Sequence, residues 1–123
     1  MIDFVLEDEP RSKGRPRFSK HGHAYTPKAT REAELAVELA WRESGGQVMN
    51  GPLILDCVFY LGSKRKVDCD NLGKLVADAL NKRAFEDDSQ LVEIHLKKVF
   101  TNKESARTHV KIYQFMGNAY ETP

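Results

Sequence analysis

The order of periodic segments along the chain predicts an α+β fold, a mixed β-sheet with two main helices packed on one face. Three observations carry this. Two stretches repeat their apolar residues at helical spacing, and four others alternate or run apolar as strands do. The segments succeed one another as β, loop or hairpin, α, β, α, β, β, so the sheet is expected to finish antiparallel.

Ile2, Phe4 and Leu6 alternate with Asp3, Val5 and Glu7 and predict the first strand. Pro10 to Arg17 mixes prolines and a glycine with charges and reads as an exposed loop. Phe18-Ser19 and Ala24-Tyr25 flank Lys20-His21-Gly22-His23 as a small hairpin closed by the glycine. Thr26-Pro27 marks a helix start, with threonine as N-cap and proline at the first helical position. From Thr30 to Glu43, Ala33, Ala36, Val37, Ala40 and Trp41 recur at helical spacing, and Gly45-Gly46 ends the helix. Leu53 to Tyr60, apolar and β-branched, predicts a central strand. Leu72, Leu75, Val76, Ala79 and Leu80 form the stripe of a second amphipathic helix, in which Gly73 is out of place. Val92, Ile94 and Leu96 alternate as a third strand, and Thr108 to Phe115 as a fourth with Val110 and Ile112 inward. Asn102-Lys103-Glu104-Ser105 between them suits a hairpin connector.

A length of 123 residues predicts a single domain over 1–123, and 41% apolar with 30% charged residues is the composition of a soluble globular protein. No apolar run approaches the roughly 20 residues of a membrane helix, and MIDFVLEDEP is too acidic for a signal peptide. A cytoplasmic location and no membrane partner are therefore expected. Cys57 and Cys69 fit neither a zinc pattern nor a disulfide framework. The net charge of +1 is uninformative, but its distribution is not. Between Arg11 and Arg31 lie Arg11, Lys13, Arg15, Arg17, Lys20, Lys28 and Arg31 with no acidic residue, and Lys64-Arg65-Lys66 stands just before Asp68 and Asp70. Such segregation is an electrostatic footprint for phosphate.

Asp68-Cys69-Asp70-Asn71-Leu72-Gly73-Lys74 leads into the second helix, and Asp87-Asp88 follows it. A helix of two to three turns lets the chain return, bringing the second acidic pair towards the first. Converging carboxylates repel unless a cation neutralises them, and Mg²⁺ suits hard oxygen ligands. Lys74, four residues after Asp70, shares its helical face and can meet a phosphate oxygen. Blander readings stand beside these: Asp70 as a mere N-cap, Lys74 and Asp78 as a surface pair, Asp87-Asp88-Ser89 as a polar turn, and the basic loop as solvated charge. Phe18 and Tyr25 can stack on bases, though the core of the hairpin is the more usual place for them. His21 and His23 read as exposed hairpin residues without a third metal ligand.

Asp68-x-Asp70-Asn71-Leu72-x-Lys74, then Asp78-Ala79-Leu80 and Asp87-Asp88-x-Gln90-Leu91-Val92, resemble the core signature of the RusA family of Holliday junction resolvases. Pro10-x-Ser12-Lys13-Gly14-Arg15-Pro16-Arg17-Phe18 and Ala24-Tyr25-Thr26-Pro27 resemble the N-terminal half of its phage and prophage members. The resemblance implies a homodimeric, Mg²⁺-dependent endonuclease that cuts four-way DNA junctions by paired nicks. It implies essential aspartates at Asp68, Asp70 and Asp88, a catalytic lysine at Lys74 and a supporting metal ligand at Asp87. DNA would be held by Arg11, Lys13, Arg15 and Arg17, with Lys64, Arg65 and Lys66 as the second basic group. Two alternatives use the same residues: a metal-dependent nuclease for flaps, nicks or duplex, and a non-catalytic nucleic-acid-binding module. Comparing substrates separates the first, and a product that needs Mg²⁺ separates the second.

Overall fold

The computed structural model describes residues 1–14 and 17–118. Its strands are β1 (Ile2–Leu6), β2 (Arg17–Phe18), β3 (Ala24–Tyr25), β4 (Leu53–Leu61), β5 (Leu91–Phe100) and β6 (Arg107–Gln114). The helices are α1 (Lys28–Glu43) and α2 (Cys69–Leu80). As the periodicities predict, the fold is α+β, with both helices against a mixed sheet. No helix among the described residues is long and apolar enough to cross a membrane.

The most apolar strand takes the centre. Leu53, Leu55, Cys57, Phe59 and Leu61 are buried along one side of β4 and meet Val37 of α1 and Leu72, Leu75, Val76 and Leu80 of α2 in one core. A strand so buried must have both backbone edges paired, because an unpaired buried N–H or C=O is costly. β5 pairs with one edge in parallel and β6 with the other antiparallel, giving the order β1-β6-β4-β5. The expected hairpin between the last two strands is therefore wrong: β5 and β6 never pair, and their connector crosses the end of β4. Thr101 N–H donates to the Leu61 carbonyl there at 2.8 Å. Gly62 makes the crossing possible, since a Cβ on it would stand 3.0 Å from Lys103 Cα.

The start of α1 also differs from expectation. Thr26 is not the cap; Pro27, with extended backbone, is the flanking residue, and its carbonyl accepts the first helical bond from Arg31. The small hairpin forms as β2 and β3, paired apart from the main sheet. Because a parallel pair needs a crossover, α2 bridges β4 and β5 and lies beside β5, an edge strand.

Candidate active site

Asp68 occupies the N-cap position of α2, yet its carboxylate makes no capping bond. The reading of Asp70 as a mere cap thus fails: Asp70 lies inside the first turn, where the helix dipole favours its negative charge. Lys98 of β5 donates to the Val67 carbonyl at 2.8 Å and so fixes the chain just before Asp68. Sequence reasoning missed Lys98. Its signal was parity, for it follows Ile94 and Leu96 at two-residue steps and so shares their face of the strand.

At the other end of the crossover, Asp88 opens a short 3₁₀ turn, Asp88–Gln90. The Asp87 carboxylate caps this turn by accepting from Ser89 N–H at 3.0 Å, which together with Lys82 holds it below the usual carboxylate range. Gln90 Oε1 accepts from the N–H groups of Glu86 and Asp87, each at 3.0 Å, and its Nε2 donates to the Gly51 carbonyl at 3.0 Å. The turn that carries Asp88 is thereby tied to the loop before β4.

Between α2 and β5 lies a cleft of about 480 Å³ lined by Asp70, Lys74, Asp78 and Asp88, with Gly73, Ala77, Leu91, Ile94 and Leu96 as its apolar wall. Asp70, Lys74 and Asp88 are thus brought together, whereas Asp68 and Asp87 do not line the cleft. Among the described residues, no three His, Cys, Asp or Glu side chains gather as a metal-binding group. Two carboxylates nevertheless suit Mg²⁺, which commonly takes one or two from protein and fills its other positions with water and phosphate.

The cleft depends on close approach of helix to strand, and this accounts for Gly73. A Cβ there would lie 2.5 and 2.8 Å from the two methyl carbons of Leu96. Gly73→Ala should push Leu96 aside and open the cleft. Alanine's helix preference, about 1 kcal/mol over glycine, offsets the crowding, so melting should change little. Cleavage under single turnover should fall by about 10-fold or more, because small misplacements of reacting groups are costly. Adding Leu96→Ala should restore part of that rate; no recovery would show that Gly73 acts otherwise.

The basic residues divide into two kinds. Lys13 Nζ lies 3.0 Å from Asp78 Oδ2 and 3.4 Å from Glu34 Oε1, and its backbone N–H donates to the Asn71 carbonyl at 3.0 Å. Burial lowers the Lys13 pKa, but Asp78 and Glu34 outweigh it and leave the ammonium above the ordinary lysine value. Lys13 thus straps the N-terminal loop to both helices. Asp78 is its anchor rather than the partner of Lys74. Arg65 likewise braces the fold, pairing with Glu9 at 3.3 Å and donating to the Pro10 carbonyl. Glu9 also accepts from Gly62 N–H at 3.1 Å. Arg11, Arg17, Lys64 and Lys66 are exposed or nearly so, with Arg11 beside Asp8 at 3.7 Å. Arg11, Arg17 and Arg65 line a second, larger recess of about 710 Å³ at the start of α1. Arg15 lies outside the described residues.

Lys13→Met should lower stability by about 1–2 kcal/mol, since it leaves two half-buried carboxylates without their cation. Asp78→Asn should do less, and the two losses should not add in a double-mutant cycle followed by urea melting. Full additivity would mean that the pair does not interact. Because the folded pKa of Lys13 is raised, its contribution is complete at neutral pH and fades only as pH climbs through that raised value.

Carboxylates and an ammonium around one cleft, beside a cation-rich loop, make an arrangement suited to phosphodiesters. Comparison with known proteins agrees. The chain matches the family model Endodeoxyribonuclease RusA over residues 7–113 and belongs to that family. It is also 29% identical over 136 aligned residues to "Uncharacterized protein YqaN" of Bacillus subtilis (strain 168), covering 90% of this chain and 94% of that protein.

Proposed function

We propose that this protein is a Mg²⁺-dependent endonuclease that resolves four-way DNA junctions by paired nicks, acting as a homodimer. The observation that carries the reading is one cleft holding Asp70, Asp88 and Lys74 on a chain of the RusA family. Asp70 and Asp88, with Asp68 at the head of the same helix and Asp87 in support, are the residues that would hold the cation. When bound, Mg²⁺ would activate water and offset charge growing on the phosphate. Lys74 stands beside that charge, and the exposed Arg11 and Arg17 track the DNA backbone. A four-way junction offers related strands across an approximate two-fold axis, which a two-fold dimer matches.

The test is a labelled four-way junction, a linear duplex and a flap incubated in parallel with and without Mg²⁺. Symmetrical nicks in the junction alone, and only with the metal, are expected. Equal cutting of flap or duplex would favour a less selective nuclease. Binding with no product under any condition would reduce the protein to a binding module. Light scattering of the free protein should give twice the monomer mass, and a monomer at working concentration would remove the dimer from this reading.

A further inference from the structure

The acidic cleft accounts for cutting a phosphodiester but not for choosing a branched one. The hairpin of β2 and β3 supplies a feature that the cleft leaves unused. Phe18 is 72% exposed and Tyr25 49% exposed, although elsewhere the fold buries Phe4, Trp41, Phe59 and Phe85. Sequence reasoning favoured a core for these two rings, and the structure provides none. Two-residue strands are too short to cover them, and the hairpin stands outside the main sheet.

The hairpin is nonetheless built. The Ser19 hydroxyl accepts from the N–H groups of His21 and His23 at 3.3 and 3.2 Å, and Ser19 N–H donates to the His23 carbonyl at 2.8 Å. Gly22, at a φ of 81°, closes the turn by donating to the Ser19 carbonyl at 2.9 Å. Register then sets the directions of the rings. Arg17 faces Tyr25 across the ribbon and Phe18 faces Ala24, so the two aromatics lie on opposite faces. The result is a thin blade with one ring on each side.

We propose that this blade enters the open centre of a branched DNA, with Phe18 and Tyr25 each stacking on a base left uncovered there. The proposal rests on the junction-resolving reading above. Charge selects the occupant: from Arg11 to Arg31 the chain carries no carboxylate, and Arg17, Lys20, His21 and His23 are exposed on the same hairpin as the rings. A second copy of this chain would bring like charge against like, whereas a nucleic acid brings phosphates. Geometry selects the kind of DNA. Inside a continuous duplex both faces of every base are covered by their neighbours. At a branch point stacking is interrupted, and arms end in base faces that an aromatic ring can cover. A blade with a ring on each side meets two such ends at once. On the N-terminal side of the hairpin, Lys13 is held to α2 by its N–H bond to the Asn71 carbonyl, and Gly14 N–H donates to Thr30 of α1 at 3.1 Å.

The experiment compares the full-length protein with Phe18→Ala/Tyr25→Ala, in Ca²⁺ to prevent turnover. The probes are a synthetic four-way junction carrying 2-aminopurine at the crossover and a linear duplex of the same length. The double variant should bind the junction about 10- to 100-fold more weakly and the duplex unchanged. Wild type should lower 2-aminopurine fluorescence on binding, because a ring stacked on the uncovered base quenches it; the variant should not, and Phe18→Trp should retain the quenching. Because both rings are exposed, melting should be unaffected. Equal loss on both DNAs, unchanged junction affinity, or a change in oligomeric state with DNA selectivity intact would each overturn the wedge. If wild type cuts junctions in Mg²⁺ while these outcomes fail, only the wedge falls; if wild type neither binds nor cuts branched DNA, the functional reading falls with it.

Discussion

Asp70→Asn is expected to abolish junction cleavage while leaving the protein folded and bound to DNA. Asp70 lines the cleft from the first turn of α2, and asparagine keeps its size while removing the charge. A carboxylate that helps hold a divalent cation supports several kcal/mol of transition-state stabilisation, so the rate should drop by about 10³-fold or more. Stability should change by only a few tenths of a kcal/mol, the usual worth of an exposed acid near a helix start. Binding should persist or tighten, because one fewer negative charge opposes the approaching phosphate. Single-turnover cleavage and a gel-shift titration on the same preparation test both halves. Full cleavage by this variant in Mg²⁺ would remove Asp70 from the catalytic set. Asp88→Asn and Asp68→Asn should behave alike. Asp87→Asn should act differently, loosening the turn that it caps.

Lys74→Ala should slow the chemical step by about 10²–10³-fold, the cost of removing one electrostatic contact to developing charge. The structure strengthens the reason. Asp78, the surface partner that a helical spacing of four suggests, is taken by Lys13 at 3.0 Å. Among the described residues Lys74 makes no ion pair, and it lines the cleft with Asp70 and Asp88. The role proposed for its ammonium therefore competes with no ion pair of the fold among the described residues. If the contact forms mainly in the transition state, the rate with DNA fully bound should fall far more than affinity. Arginine should rescue poorly, since a planar fork does not present its charge as a compact ammonium does. A wild-type rate from Lys74→Ala under single turnover would confine catalysis to the carboxylates.

Much of this was legible in the residues alone, and for local reasons. Strand alternation at Ile2–Leu6 and the stripe from Leu72 to Leu80 depend on which side faces the core, so period alone locates them. The approach of Asp70 to Asp88 was legible because one helix returns the chain from the first to the second, whereas Asp68 stays outside the cleft. Tertiary structure decided whatever depends on partners distant in sequence. The connection from β5 to β6 looks like a hairpin, but the need to pair both edges of buried β4 sends the two strands to opposite sides. Gly73 looks misplaced until Leu96 stands against it. Lys13 reads as one more loop cation until Asp78 and Glu34 stand beside it, and Phe18 looks like core until no core is found beside it. A residue's type determines what it can do; the neighbours that folding brings to it determine which of those things it does.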